Sequence, residues 1–216
     1  MTAANLRDPH AGQLVLRSGP SVEHARLVAI PLHGRGASAE DILGLAGDFS
    51  ATDIAYLAPQ AAGGTWYPHS FLAPLHQNEP WLGSALRVIE SLLEAVEQQG
   101  VPPERVVLMG FSQGACLALE FAARHAQRYA AVAAFSGGLI GPPGTQRSHG
   151  GGFEGTPIFI GCSDSDPHVP LERVRESAAL FRRMGASVDE RIYPRMAHTI
   201  IADEIDAVDA LLAAKT

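Results

Sequence analysis

The chain has little cysteine, little charge and no long apolar run. Two cysteines, Cys116 and Cys162, stand among 216 residues, so at most one disulfide can form, and their spacing is not that of a metal site. Their apolar flanks suit buried thiols in a reducing compartment, and a cytoplasmic location is the expectation. Charged residues make up 18% of the chain, the net charge is −7, and no stretch is rich in lysine or arginine. A nucleic-acid backbone or an anionic membrane gains little from such a chain, which sets nucleic acid aside as a partner. No stretch has the length of a membrane-spanning helix. Residues 1–13 are polar and carry Arg7, Asp8 and His10, where a secretory signal would place an apolar core. No His-x-x-x-His or comparable carboxylate–histidine helix spacing occurs, so no metal is expected.

What is present points to a folded α/β protein. Apolar residues make up 46% of the chain, with 22 glycines and 15 prolines, a compact rather than a disordered composition. The length suits one large domain over residues 1–216, with a sheet covered by helices on both faces, and residues 1–12 are expected to be a flexible segment. Leu27–Leu32 is a buried apolar run ending at His33-Gly34-Arg35-Gly36. Ser38, with Asp41 three residues later, has the form of a capping box. Ile42, Leu45, Ala46 and Phe49 follow at helical spacing. A short strand is expected from Asp53 to Pro59. A long helix begins near Asn78 and Pro80, with Leu82, Leu86, Ile89, Leu93 and Val96 on one face and Gly100 at its end.

The alternation then repeats. Strands are expected at Val106–Met109, Ala130–Phe135, Pro157–Gly161 and Ser187–Tyr193, and helices at Ala115–His125, Leu171–Met184 and Thr199–Ala213. Strands alternating with helices imply a mostly parallel sheet whose functional groups gather at the carboxyl ends of the strands. Gln13–Arg17 offers an antiparallel edge strand.

One pentapeptide carries the chemistry. Gly110-Phe111-Ser112-Gln113-Gly114 lies between an apolar strand and a helix, so Ser112 occupies the apex of a sharp turn, open to a base on one side and a substrate on the other. The flanking glycines leave room for strand and helix to pack closely. A serine nucleophile needs a base of near-neutral pKa. His198 follows the last strand and lies downstream of the cluster Asp164-Ser165-Asp166, giving the chain order serine, acid, histidine. His33 falls on the same rim, but its glycine neighbours suit a role in loop geometry. His168 suits a solvated or local hydrogen-bonding role. Asp166 is favoured as the carboxylate that orients the imidazole, because Pro167 stiffens the turn after it; Asp164 is the alternative. Two donors must meet the developing oxyanion. The backbone N–H of Gln113, at a helix N-terminus, is one, and the loop Gly34-Arg35-Gly36 supplies the other.

With these residues in place, the chain resembles the carboxylesterase, phospholipase and acyl-protein thioesterase branch of the α/β-hydrolases. The matching segments are Leu32-His33-Gly34-Arg35-Gly36, Gly110 to Ala115, Asp166-Pro167-His168-Val169-Pro170, and Met196-Ala197-His198. The resemblance implies the α/β-hydrolase fold, Ser112 as nucleophile, Asp166 as orienter, His198 as base, and oxyanion donors from the backbones of Arg35 and Gln113. It implies hydrolysis of carboxylic esters or thioesters without a metal or organic cofactor and a small-molecule acyl ester as substrate; many members of the branch form dimers, so a homodimer is one expectation. Arg35 stands where eukaryotic thioesterases commonly have leucine. Its guanidinium either puts a cation near the mouth, favouring substrates with a carboxylate, or turns to solvent, Glu40 or Asp41. Residues 60–80 depart from the longer lid-like pattern of protein deacylases. Trp66, Tyr67, Phe71 and Leu72 within them are either an acyl pocket or core aromatics under a loop. The leading expectation is a serine carboxylesterase for small to medium acyl esters. Thioesterase or lysophospholipase activity uses the same triad, and a non-catalytic binding module is the reading from another class.

Overall fold

This computed structural model describes residues 8–147 and 150–213. Seven strands lie among them: β1 (Val15–Ser18), β2 (Leu27–Leu32), β3 (Ile54–Pro59), β4 (Val106–Phe111), β5 (Ala131–Phe135), β6 (Pro157–Ser163) and β7 (Ser187–Tyr193). They form one sheet in the order β1-β3-β2-β4-β5-β6-β7. The edge strand β1 runs antiparallel to β3, and every other pairing is parallel. β2 and β3 are buried along their whole length, which is why they read as continuous apolar runs rather than alternating ones.

The helices are α1 (Ala39–Leu43), α2 (Trp81–Glu97), α3 (Gln113–Arg124), α4 (Leu171–Arg183) and α5 (Ala202–Ala213). Side chains leave successive strand residues on opposite faces, and the core divides accordingly. Val106 and Leu108 join Ile30, Ile158 and Ile160 beneath α2, α3 and α4, through Leu82, Ile89, Leu117, Phe121, Val174 and Phe181. Val107 and Met109 join Phe135 and Phe159 beneath Val208 and Leu212 of α5, with Leu43 and Leu45 packed on the same side. This layered arrangement is the α/β-hydrolase fold.

Three local expectations need correction. The capping box on Ser38 and Asp41 is formed, but α1 ends at Leu43 and continues as a 3-10 turn over Gly44–Gly47; two glycines within four residues do not sustain the helix that the Ile42–Phe49 spacing suggested. The last helix begins at Ala202 rather than near Thr199, because Glu204 caps the Ile201 N–H with its side chain at 3.0 Å. Residues 1–7 of the expected flexible segment lie outside the described residues, and residues 8–12 are anchored. His10 is 1% exposed, its Nε2 lies 2.9 Å from the Trp66 carbonyl, and its Nδ1 accepts from the Ala62 N–H at 3.1 Å. That imidazole is held neutral by burial, which outweighs the hydrogen bond to Trp66. No helix among the described residues is long and apolar enough to cross a membrane.

Candidate active site

β4 delivers Ser112 directly into α3. Its backbone, at φ 54° and ψ −115°, lies in the positive-φ half of conformational space that side-chain-bearing residues avoid. The two flanking glycines make the turn possible by closeness. A Cβ on Gly114 would lie 2.1 Å from the Leu32 carbonyl oxygen, and one on Gly110 would lie 2.5 Å from the Gly114 carbonyl carbon. Strand and helix are therefore in backbone contact around the serine, and the Ser112 N–H is tied across to the Phe135 carbonyl at 2.9 Å.

The structure brings Ser112, His198 and Asp166 together. His198 Nδ1 lies 2.7 Å from Asp166 Oδ2, and its Nε2 lies 2.8 Å from Ser112 Oγ. With Nδ1–H donating to the carboxylate, Nε2 presents its lone pair to the serine hydroxyl. The Asp166 side chain is fully buried and that of His198 is 17% exposed. Burial alone would raise the Asp166 carboxyl. Donors from His198, the His168 N–H and the Val169 N–H outweigh it and hold the group below its ordinary value. The two backbone donors contact Oδ1 at 2.8 and 3.0 Å, so one oxygen is fixed by the turn and the other faces the imidazole. Asp164 acts elsewhere. Its Oδ1 accepts the Arg195 N–H at 2.7 Å and ties down the loop that carries His198. The ring of His198 lies 5.0 Å from that of Phe111 and 4.8 Å, edge-on, from that of His168. His168 is thus a neighbour of the imidazole. Its place beside Asp166 was the signal available in the sequence.

The loop after β2 is built on a buried imidazole. His33 Nδ1–H donates to the Gly34 carbonyl at 2.8 Å, while Nε2 accepts the Ala61 N–H at 3.0 Å. Burial lowers the His33 pKa despite the bond to Gly34, so the ring stays neutral. The first N–H groups of a helix lack intrahelical partners, and the Gln113 N–H stands at the start of α3. Arg35 sits in the loop opposite, where Gly34 packs against Phe111 and Ser112.

Two side chains, one from the loop after β2 and one from the first residue of α3, hold a wall of the cleft, and the sequence signals neither role. Gln113 Oε1 accepts the Trp66 N–H at 2.9 Å and Thr65 Oγ1 at 3.2 Å, and its Nε2 donates to the Tyr67 carbonyl at 2.8 Å. Arg35 donates to the carbonyls of Pro68, Tyr67 and His69 at 3.0, 2.8 and 2.9 Å. The guanidinium neither pairs with Glu40 or Asp41 nor turns away; it clasps this wall.

Over the serine lies a cleft of about 500 Å³, whose lining includes Arg35, Tyr67, Phe71, Phe111, Cys116 and His198. Of the four residues offered as an acyl pocket, Tyr67 and Phe71 line it. Trp66 and Leu72 do not. Trp66 is fully buried, donates Nε1–H to the His33 carbonyl at 2.9 Å and packs 5.0 Å from the His33 ring, so it supports the loop from behind. Leu72 packs against the core. Cys116 lies one helical turn beyond Ser112, and burial pushes its thiol up to about 12. It stays protonated near neutral pH, which makes it a poor nucleophile. Among the described residues, no group of three histidine, cysteine or acidic side chains is placed to hold a metal ion.

A parallel sheet with an antiparallel edge, turning into a helix through a strained serine, defines the class: this is an α/β hydrolase. Within that class the sequence profile of the phospholipase/carboxylesterase family matches residues 18–215, and the chain belongs to that family. It is similar to an acyl-protein thioesterase 1 of Gibberella zeae, 30% identical over 149 residues that cover 64% of this chain and 60% of the relative. It is also similar to the putative esterase NocK of Nocardia uniformis, 31% identical over 74% of this chain and 46% of the relative. The chain thus spans about half to three-fifths of the length of these curated relatives. A crystal structure of a phospholipase/carboxylesterase from Dyadobacter fermentans superposes with a TM-score of 0.90 at 42% identity, over 93% of this chain and 97% of that one.

Proposed function

We propose that the protein is a serine carboxylesterase that hydrolyses small to medium acyl esters through an acyl-enzyme on Ser112. The observation that carries this reading is the unbroken path from Asp166 through His198 to Ser112 Oγ, at 2.7 and 2.8 Å, at the base of an open cleft. His198 Nε2 takes the hydroxyl proton as Oγ attacks the ester carbonyl, and Asp166 stabilises the imidazolium that forms. The backbone N–H groups of Arg35 and Gln113 receive the oxyanion. The imidazolium gives its proton to the leaving alcohol. Water then enters, His198 acts as base again, and the acid leaves.

Thioester hydrolysis uses the same groups, and relatives from Gibberella zeae and Saccharomyces cerevisiae bear the name acyl-protein thioesterase 1. Turnover of a p-nitrophenyl ester series from acetyl to palmitoyl, beside matched thioesters, separates the readings by chain length and leaving group. Ser112→Ala is expected to lose at least about a thousandfold in kcat/KM while folding normally. Wild-type protein that binds these esters without turning them over would instead favour a non-catalytic binding module. A homodimer and a cytoplasmic location complete the proposal; sedimentation velocity and cell fractionation test them.

A further inference from the structure

We propose that the cleft selects esters carrying a carboxylate and that the Arg35 guanidinium receives it. The inference deepens the hydrolase reading above and rests on it. The chain carries a net charge of −7, yet among the described residues no aspartate or glutamate lines the cleft over Ser112. The charged and titratable groups that line it are Arg35, Tyr67, His69, Cys116, His168 and His198. An acidic protein has kept its acids out of one concave surface, and a concave surface concentrates whatever field its lining sets up.

Arg35 is the centre of that field. A guanidinium has five N–H donors, and here three go to the carbonyls of Pro68, Tyr67 and His69. These partners are neutral. Among the described residues no carboxylate pairs with Arg35, the one arginine that lines the cleft. The remaining two N–H groups and the whole positive charge are left for a ligand. The three carbonyls, with the Tyr67 ring 6.0 Å from the guanidinium carbon, also hold the fork in one place, so little side-chain entropy is lost when an anion arrives.

The arrangement also sets a length. In the reading above, the backbone N–H of Arg35 meets the scissile carbonyl oxygen, so its own side chain spans the gap to the second group. The reach of an arginine places that carboxylate about four to six bonds from the scissile carbonyl carbon. A single carboxylate matches the single uncompensated charge.

The test compares esters that differ only in that group. Monoethyl adipate is paired with ethyl 6-methylheptanoate, and 4-butanoyloxybutanoate with 4-methylpentyl butanoate; in each pair an isopropyl group replaces the carboxylate, on the acyl or the alcohol side. kcat/KM is read by pH-stat for wild type and for Arg35→Gln, whose amide can still donate to the loop carbonyls. The expected result, in one pair at least, is a charged-to-neutral ratio about tenfold lower in Arg35→Gln than in wild type. In the wild type alone, raising NaCl from about 0.05 to about 0.5 M should lower the same ratio about threefold, by screening; this arm stands even where the variant folds poorly. Ratios that do not respond to the substitution or to salt overturn the inference and leave the hydrolase intact. Wild-type protein that hydrolyses no ester of either pair or of the p-nitrophenyl series overturns both.

Discussion

Glu204 should make the protein less stable above neutral pH, by an amount that its surroundings allow to be worked out. The residue stands in the first turn of α5, fully buried. Oε2 accepts the Ile201 N–H at 3.0 Å, whereas Oε1 has no partner. Oε1 also presses on β6, since a Cβ on Gly161 would lie 2.1 Å from it. Burial pushes the carboxyl up from 4.5 to about 7; the Ile201 N–H pulls it back in part, and Asp203 adds to the rise. A folded pKa above the unfolded one means that folding favours the protonated acid. Its contribution is complete below about pH 4.5 and is lost as pH rises through about 7. By proton linkage the ionisation penalty on folding grows from about 1 kcal/mol at about pH 5 to about 3 kcal/mol at about pH 8.5. Glu204→Gln keeps an acceptor for Ile201 and has no charge to bury. Urea unfolding followed by tryptophan fluorescence from about pH 5 to about pH 8.5 should show the variant gaining about 2 kcal/mol on the wild type across that range. Any fixed offset from the amide is the same at every pH. A difference that stays flat with pH would refute the argument.

Gly114→Ala should lower the melting temperature by about 10 °C or prevent folding, because the new Cβ meets backbone oxygens of Leu32 and His33 at 2.1 and 2.7 Å that cannot step aside. Gln113→Ala leaves the buried Trp66 N–H without its acceptor; the denaturant midpoint should shift by the equivalent of about 1–3 kcal/mol. Asp166→Asn removes the charge that faces His198 Nδ1 and should reduce kcat by about 10³- to 10⁴-fold with the fold intact by circular dichroism.

The parts legible in the sequence were those set by neighbours along the chain. β2 and β3 announce themselves as apolar runs because both faces of the sheet are covered, and the turn at Ser112 is signalled by glycines that lie within two residues of it. Ser38 and Asp41 close their capping box locally. What escaped depends on contacts across the fold. The side chains of Arg35 and Gln113 hold carbonyl and amide groups more than thirty residues away, and no periodicity encodes such a reach. Trp66 and Tyr67 are adjacent in sequence, aromatic and fully buried, yet only Tyr67 lines the cleft while Trp66 braces His33. Period-based reasoning cannot divide them. Asp164 and Asp166 are separated only by which turn receives the backbone donors of His168 and Val169.

Holding Ser112, a residue other than glycine, at φ 54° costs about 1–3 kcal/mol. Replacing it with glycine would relieve that cost and remove the hydroxyl in the same step. On the mechanism proposed above, the strain at Ser112 is what holds its hydroxyl 2.8 Å from His198 Nε2, so ease of folding and reactivity pull on this one residue in opposite directions.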